Sequence, residues 1–140
     1  IEGLNNIHNE DIMHRDFHSG NIFISKNDVV IGDLGISKSA IESTDNNKNY
    51  GIVSYMAPEI FQGQKYTKAS DIYSFGMIMW EFMTGRKPFC NRNHDLKLMA
   101  DIYDGVRPPI ITNAPEGYID LMKVCWHSYP NKRPNAWNIL

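Results

Sequence analysis

Cysteine is scarce in this chain, and its two copies, Cys90 and Cys125, lie far apart with no CxxC spacing. A single disulfide stays open on that count. Two scattered thiols fit a reducing compartment better, so a cytoplasmic location is expected. Charge of one sign is also missing: 14 basic residues face 16 acidic ones, for a formal net charge of −2. That balance offers no electrostatic footprint for nucleic acid or for an anionic membrane surface. Long apolar runs are absent as well. The most apolar stretch, IYSFGMIMWEFM from Ile72 to Met83, is too short to span a bilayer and carries Glu81, so it reads as a buried core helix. There is no internal repeat and no low-complexity tract. No secretory signal opens the sequence, which starts at Ile1 without a methionine, and a fragment or partial gene product is expected.

What remains is an ordinary globular composition, 42% hydrophobic and 21% charged over 140 residues, enough for one domain with a core and too little for two. Ile1, Leu4 and Ile7 recur at helical spacing, which predicts that the chain opens within a helix. Beyond His8 the text turns polar and irregular up to Asn21. Two short apolar runs, Ile22–Ile24 and Val29–Ile31, flank the tetrapeptide SKND and predict a hairpin. From Asp33 to Tyr50 the sequence is rich in Ser, Asn, Asp and Lys and reads as a long functional or disordered loop. The second half reads as helical. Ser70 or Asp71 is placed as the cap of a helix ending at Thr84 before Gly85, and a second helix carries Leu96, Met99 and Ile102. A third is outlined by Ile119, Leu121, Met122, Val124, Cys125 and Trp126, and a last one begins near Pro134.

The densest chemical signal is HRDFHSGN, His14–Asn21, followed after the hairpin by Asp33-Leu34-Gly35. Phosphoryl transfer needs a carboxylate to orient the attacking hydroxyl and metal ligands to neutralise phosphate oxygens. Asp16 has the position of the first; Asn21 and Asp33 have the positions of the second, offering the hard oxygen ligands that Mg²⁺ prefers. A short hairpin between Asn21 and Asp33 brings both to one end of the same ribbon. Either aspartate alone reads better as a loop-capping acid, but the three residues together do not. His14 and His18 have the i, i+4 spacing of a zinc helix. Asp16 and Gly20 between and beside them do not suit a helix, and no third ligand follows. His8, His94 and His127 read as surface or packing histidines.

These motifs resemble the C-terminal lobe of the eukaryotic protein kinase superfamily, over nearly all 140 residues and in the family's order. GIVSYMAPE, Gly51–Glu59, is similar to the substrate-docking loop. DIYSFGMIMWE, Asp71–Glu81, is similar to the buried central helix, and CWHSYPNKRP, Cys125–Pro134, to the closing helix pair. The resemblance implies a mainly α fold with a small β-hairpin. It divides the chain into a catalytic loop at 14–21, an activation segment at 33–59 and a helical core at 70–140, with the N-terminal lobe absent. It implies ATP and Mg²⁺ as cofactors, a protein substrate, and the missing N-lobe as partner, with no nucleic acid and no membrane. By resemblance, Asp16 is the catalytic base and Asn21 and Asp33 hold the metal and nucleotide. Glu59 forms a buried ion pair with Arg133, and Asp71 holds the catalytic-loop backbone. Arg15 pairs with an activation-loop phosphate, for which Ser37, Ser39, Ser43, Thr44 and Tyr50 are candidates. Without the N-lobe the chain is expected to be a poor enzyme and a marginal fold.

Trp80-Glu81 and Cys125-Trp126 resemble the tyrosine-kinase and tyrosine-kinase-like groups, whereas Tyr55-Met56 before Ala57 is closer to Ser/Thr-directed enzymes. A tyrosine-kinase-like enzyme acting on Ser or Thr reconciles the two. Three positions depart from the family. His18 stands where it has lysine, Ile52 where it has the docking-loop threonine, and Leu34 where it has phenylalanine. His18 either contacts the transferring phosphate or substrate hydroxyl, or only packs near Ile52. Two rival readings stand beside it: a pseudokinase binding module, and a small-molecule phosphotransferase, whose pattern His18 suits but which lacks the Ala-Pro-Glu segment and the Arg133 partner.

Overall fold

The most apolar stretch of the sequence becomes the axis of the molecule. In the computed structural model, helix α3 covers Lys68–Thr84 and buries Ser70–Ser74 and Gly76–Trp80. Burial around almost its whole circumference is what a helix apolar on all sides requires. The structure describes residues 1–34, 38–39, 50–111 and 113–140, the side chains of 38, 39 and 50–52 excepted. The helix starts earlier than the sequence predicts. Thr67, not Ser70 or Asp71, is its cap, and Ser70 closes that cap by accepting the Thr67 N–H at 3.2 Å. Asp71 therefore lies inside the first turn. The helix stops at Gly85, whose left-handed φ of 66° suits a residue without a Cβ.

Four shorter helices surround this axis: α1 (Glu2–Asn9), α2 (Pro58–Phe61), α4 (Leu96–Tyr103) and α5 (Glu116–Cys125). Asp95 caps α4, its Oδ1 accepting the Leu98 N–H at 3.0 Å. The face expected for α4 is partly wrong: Leu98 and Ile102 are fully buried, whereas Leu96 is 74% exposed. On α5, Met122 and Cys125 are buried and Val124 is exposed. The helix expected from Pro134 onward is only a short 3₁₀ turn at Trp137–Ile139. Leu4, Phe17, Val53, Tyr73, Met77, Ile78, Trp80, Ile102, Met122 and Trp126 belong to one core cluster packed around α3. Among the described residues no helix is long and apolar enough to cross a membrane, and both cysteines are free.

The hairpin forms where expected, from β2 (Ile22–Ile24) and β3 (Val29–Ile31), pairing Ile22 with Ile31 and Ile24 with Val29. A second small ladder pairs β1 (Ile12–Met13) with β4 (Lys38–Ser39). Two residues per strand are too few to show an alternation, so the sequence carries no sign of it. Most of the loop expected between 33 and 50 lies outside the described residues, including Gly35, Ser37, Ser43 and Thr44.

One buried ion pair closes the base of the fold. Arg133 meets Glu59 through two parallel bonds, Nη1 to Oε1 at 2.8 Å and Nη2 to Oε2 at 2.7 Å. Its remaining donors reach the carbonyls of Ala69, Ser128 and His127. Burial works to raise the Glu59 carboxyl. The guanidinium, a backbone N–H and the Ser70 hydroxyl outweigh that and hold it below the usual range.

Candidate active site

The site is built outward from Asp71, fully buried in the first turn of α3. Its Oδ2 accepts the backbone N–H of His14 at 2.8 Å, and its Oδ1 that of Arg15 at 3.0 Å. His8 of α1 brings Nε2 to Oδ2 at 2.9 Å. One carboxylate thus fastens the start of the 14–21 loop to two helices. His14, also fully buried, reinforces it: Nε2 lies 3.0 Å from the Gly32 carbonyl, and Nδ1 accepts the Asp16 N–H at 3.3 Å. With Nδ1 acting as acceptor, the imidazole carries its proton on Nε2.

Between these anchors the backbone is strained. Arg15 has φ of 70° and Asp33 of 56°, left-handed values that cost a non-glycine residue roughly 1 kcal/mol or more. Such strain persists where the surroundings over-determine the conformation, and here it flanks the carboxylate of Asp16. Oδ1 of Asp16 is buried and lacks a hydrogen-bond partner. His18 Nε2, a cation-capable atom, lies 3.6 Å from it. His18 Nδ1 accepts the Gly20 N–H at 3.1 Å, so its proton too sits on Nε2, facing Asp16. Gly20 is needed for this fold-back, because a Cβ there would lie 2.9 Å from the imidazole.

Asn21 and Asp33 meet at the hairpin's end. The Gly32 N–H bonds the Asn21 carbonyl at 2.8 Å, continuing the ladder and setting Asp33 one residue further along. The Asn21 side chain donates from Nδ2 to the Asp16 carbonyl at 2.9 Å. With the nitrogen so engaged, the amide presents its oxygen Oδ1, a hard neutral donor, at the same end of the hairpin as Asp33. The pair fits a Mg²⁺ ion carried on a phosphate chain. Among the described residues there is no cluster of three His, Cys, Asp or Glu side chains that could hold a metal by itself.

A third strand of contacts ties the loop to the segment before α2. Ser19 donates to Glu81 Oε1 at 2.9 Å, and the Tyr55 hydroxyl donates to Glu81 Oε2 at 2.5 Å. Burial, and then the bond to Glu81, push the Tyr55 phenol well above its ordinary range, so it stays a donor. Arg15 places its guanidinium 5.8 Å from the Tyr66 ring centre. A larger cleft of about 370 Å³ opens elsewhere, lined by Phe82, Met83, Ala114, Pro115 and Tyr118. It contains no acid or base, and the Tyr118 hydroxyl is committed to the Met79 carbonyl.

A sequence profile of the family described as "Protein kinase domain" matches residues 1–140. The chain belongs to that family. It is similar to a protein of Acanthamoeba polyphaga mimivirus named as a serine/threonine-protein kinase/receptor, 38% identical over 99% of this chain and 8% of the relative. It is also similar to mitogen-activated protein kinase kinase kinase 13-A of Xenopus laevis, 33% identical over 99% of the chain and 14% of the relative. Mitogen-activated protein kinase kinase kinase 7 of Drosophila melanogaster is 33% identical over 99% of the chain and 21% of its own length. The chain therefore spans only about a tenth to a fifth of the relatives it matches.

The structure of this kinase domain chain brings Arg15, Asp16, His18, Asn21, Asp33 and Asp71 into one region. Glu59 and Arg133 sit apart from it, as the ion pair under α3. Four participants escaped the sequence reading. His8 is not a surface or simple packing residue but a buried partner of Asp71, and Ser19, Tyr55 and Glu81 form a network of their own. Each contact spans 26 or more positions, beyond any local periodicity. The side chain of Ile52 lies outside the described residues, but His18 also packs against the docking loop, its ring 6.0 Å from that of Tyr55 between centroids, so the structure shows both this packing and the 3.6 Å approach to Asp16.

Proposed function

We propose that residues 1–140 supply the catalytic half of a protein kinase, most like the tyrosine-kinase-like group, that phosphorylates serine or threonine in protein substrates. The observation that carries this reading is the Asp16 carboxylate, with one buried oxygen lacking a hydrogen-bond donor. A buried acceptor left unmatched is costly, and a substrate hydroxyl is the donor that would match it. The named relatives support Ser/Thr kinase activity, and Trp80-Glu81 with Cys125-Trp126 supports the group. The division into catalytic loop 14–21, activation segment 33–59 and helical core 70–140 is part of the proposal.

ATP with Mg²⁺, when bound, supplies the phosphoryl group and the charge that neutralises its oxygens. Asn21 and Asp33 are the residues that would hold that metal. Asp16 orients the hydroxyl and takes its proton. His18, with Nε2–H turned toward Asp16, donates a hydrogen bond near the reacting oxygens where the family carries lysine. Arg15 answers a phosphate on the activation segment, which places regulation by phosphorylation in the 33–59 stretch. An N-terminal lobe would cover the hairpin, where Phe23, Ile24, Val29 and Val30 are all more than half exposed. A cytoplasmic location accompanies this reading.

The test is Asp16→Asn in the full-length protein. Turnover on protein substrates is expected to fall by orders of magnitude while nucleotide binding holds. Equal turnover in the variant and the wild type would remove Asp16 as the base.

A further inference from the structure

We infer that Ser19 is a positioning residue that sets the orientation of His18 through Glu81, making the catalytic turn and the 50–57 segment a single mechanical unit. The inference rests on the kinase reading above for what His18 does, but not for how His18 is held.

Four residues of the loop make different commitments here. Asp16 keeps one oxygen unmatched; His18 faces it at 3.6 Å. Ser19 is hooked to Glu81 Oε1 at 2.9 Å, and the Gly20 N–H is hooked to His18 Nδ1 at 3.1 Å. His18 is only a quarter exposed, and the Tyr55 ring lies 6.0 Å away between centroids. Tyr55 in turn donates to the other oxygen of Glu81 at 2.5 Å, and its hydroxyl lies 3.4 Å from Ser19 Oγ. The imidazole therefore neighbours both Asp16 and Tyr55, and both the turn that carries it and the tyrosine near it are fixed to one carboxylate on α3.

The geometry explains why this carboxylate is needed. The turn at 18–21 is a single 3₁₀ turn capped by His18 itself. A turn that short has too few backbone bonds to hold a side chain in one rotamer. The Gly20 N–H selects the imidazole's tautomer only while the turn keeps its shape, and the turn alone does not hold that shape. Ser19 supplies the external reference, a hydroxyl bonded to a charged acceptor on the buried central helix, the stronger class of neutral-donor bond. A shift of the 50–57 segment is transmitted through Tyr55 to Glu81 and from there to the residue next to His18.

The experiment is a double-mutant cycle in the full-length protein, with a second readout independent of turnover. Ser19→Ala is expected to lower kcat about tenfold while leaving the KM for ATP unchanged, and Ser19→Thr to restore much of the loss. In a His18→Ala background the same Ser19→Ala change is expected to cost less than twofold. Equal losses in both backgrounds, or no loss in either, would overturn the inference. Imidazole ¹⁵N shifts of His18 provide the second arm. They should show Nε2 protonated in the wild type and a mixed tautomer in Ser19→Ala, and unchanged shifts would overturn the inference as well. If Asp16→Asn kept full turnover, the kinase reading would fail, while the ¹⁵N arm would still decide the role of Ser19.

Discussion

Replacing Arg133 by methionine should be the most damaging single change outside the catalytic loop. The side chain fills most of its space with a similar apolar volume, so the loss is one of charge and hydrogen bonding. Arg133 makes five bonds, two of them to Glu59, and Glu59 is only 6% exposed. Without the guanidinium the carboxylate is left desolvated and unpaired, at a cost of about 3–5 kcal/mol. Since a domain of this kind is stable by only about 5–15 kcal/mol, that is a large share of the whole. Urea denaturation followed by tryptophan fluorescence is a suitable assay, because Trp80 and Trp126 are buried and should report the loss of packing. At a slope of about 1–3 kcal/mol per molar urea, the midpoint should fall by more than ~1 M with the slope unchanged. The double variant Glu59→Met/Arg133→Met should recover much of the loss, since an apolar pair of similar volume carries no desolvated charge. The pH dependence adds a sign. In the wild type the Glu59 carboxyl is held below its usual 4.5, so its contribution is complete above that value and is lost as pH falls through the lower folded one. In Arg133→Met burial is opposed only by the backbone N–H and the Ser70 hydroxyl, so the carboxyl moves up and protonation relieves the strain. The stability gap between variant and wild type should therefore shrink as pH falls from 6 toward 4. A gap below ~1 kcal/mol, or one that widens with acid, would refute the reasoning.

The other expectations concern the site and the thiols. Asp71→Asn keeps one acceptor oxygen but not the charge that receives two backbone N–H groups and His8, so turnover of the full-length protein should drop by about two orders of magnitude with ATP affinity retained. An equal fall in both would make Asp71 a general stability residue. His18→Lys keeps a donor at the position beside Asp16, whereas His18→Ala removes it. If His18 acts there, turnover should fall about tenfold in the alanine form and be largely retained in the lysine form, and equal turnover in all three would leave His18 as packing. Burial pushes the Cys125 thiol up to about 12, whereas Cys90 is exposed. A thiol reagent should therefore modify only Cys90 of the two in the native protein and both after denaturation.

The parts legible in the sequence were those with a local cause. The hairpin showed in its two apolar runs and the tetrapeptide between them, and α3 in its unbroken apolar text and the terminal glycine. Loop 14–21 showed in the clustering of Asp16, His18 and Asn21. The start of α3 was misplaced because Ser70 is a cap-like residue that here serves Thr67 from inside the helix, bonding its N–H at 3.2 Å. Apolar spacing alone does not say which of two overlapping stripes of α4, Leu96-Met99-Ile102 or Leu98-Ile102, meets the core, and of the first only Ile102 is fully buried. His8 and Glu81 were missed for a different reason. A lone histidine near a helix end and a glutamate in an apolar helix have no distinctive spacing. Their roles come from long-range pairing, with Asp71 across 63 positions and with Ser19 across 62.

The attachment of residues 14 and 15 to Asp71 has a consequence for how the loop would meet the substrate of the proposed reaction. Fixing a backbone residue in one conformation costs about 1–2 kcal/mol of entropy, and an irregular loop would ordinarily incur that cost each time it closed on a ligand. Here the ordering is completed during folding, because the acceptor is a fully buried carboxylate on the central helix and the donors are the loop's own amides. The left-handed turn at Arg15 is enforced at the same moment. The loop is irregular in outline yet enters each encounter already arranged. What remains to be ordered is the substrate, and binding energy is free to be used there.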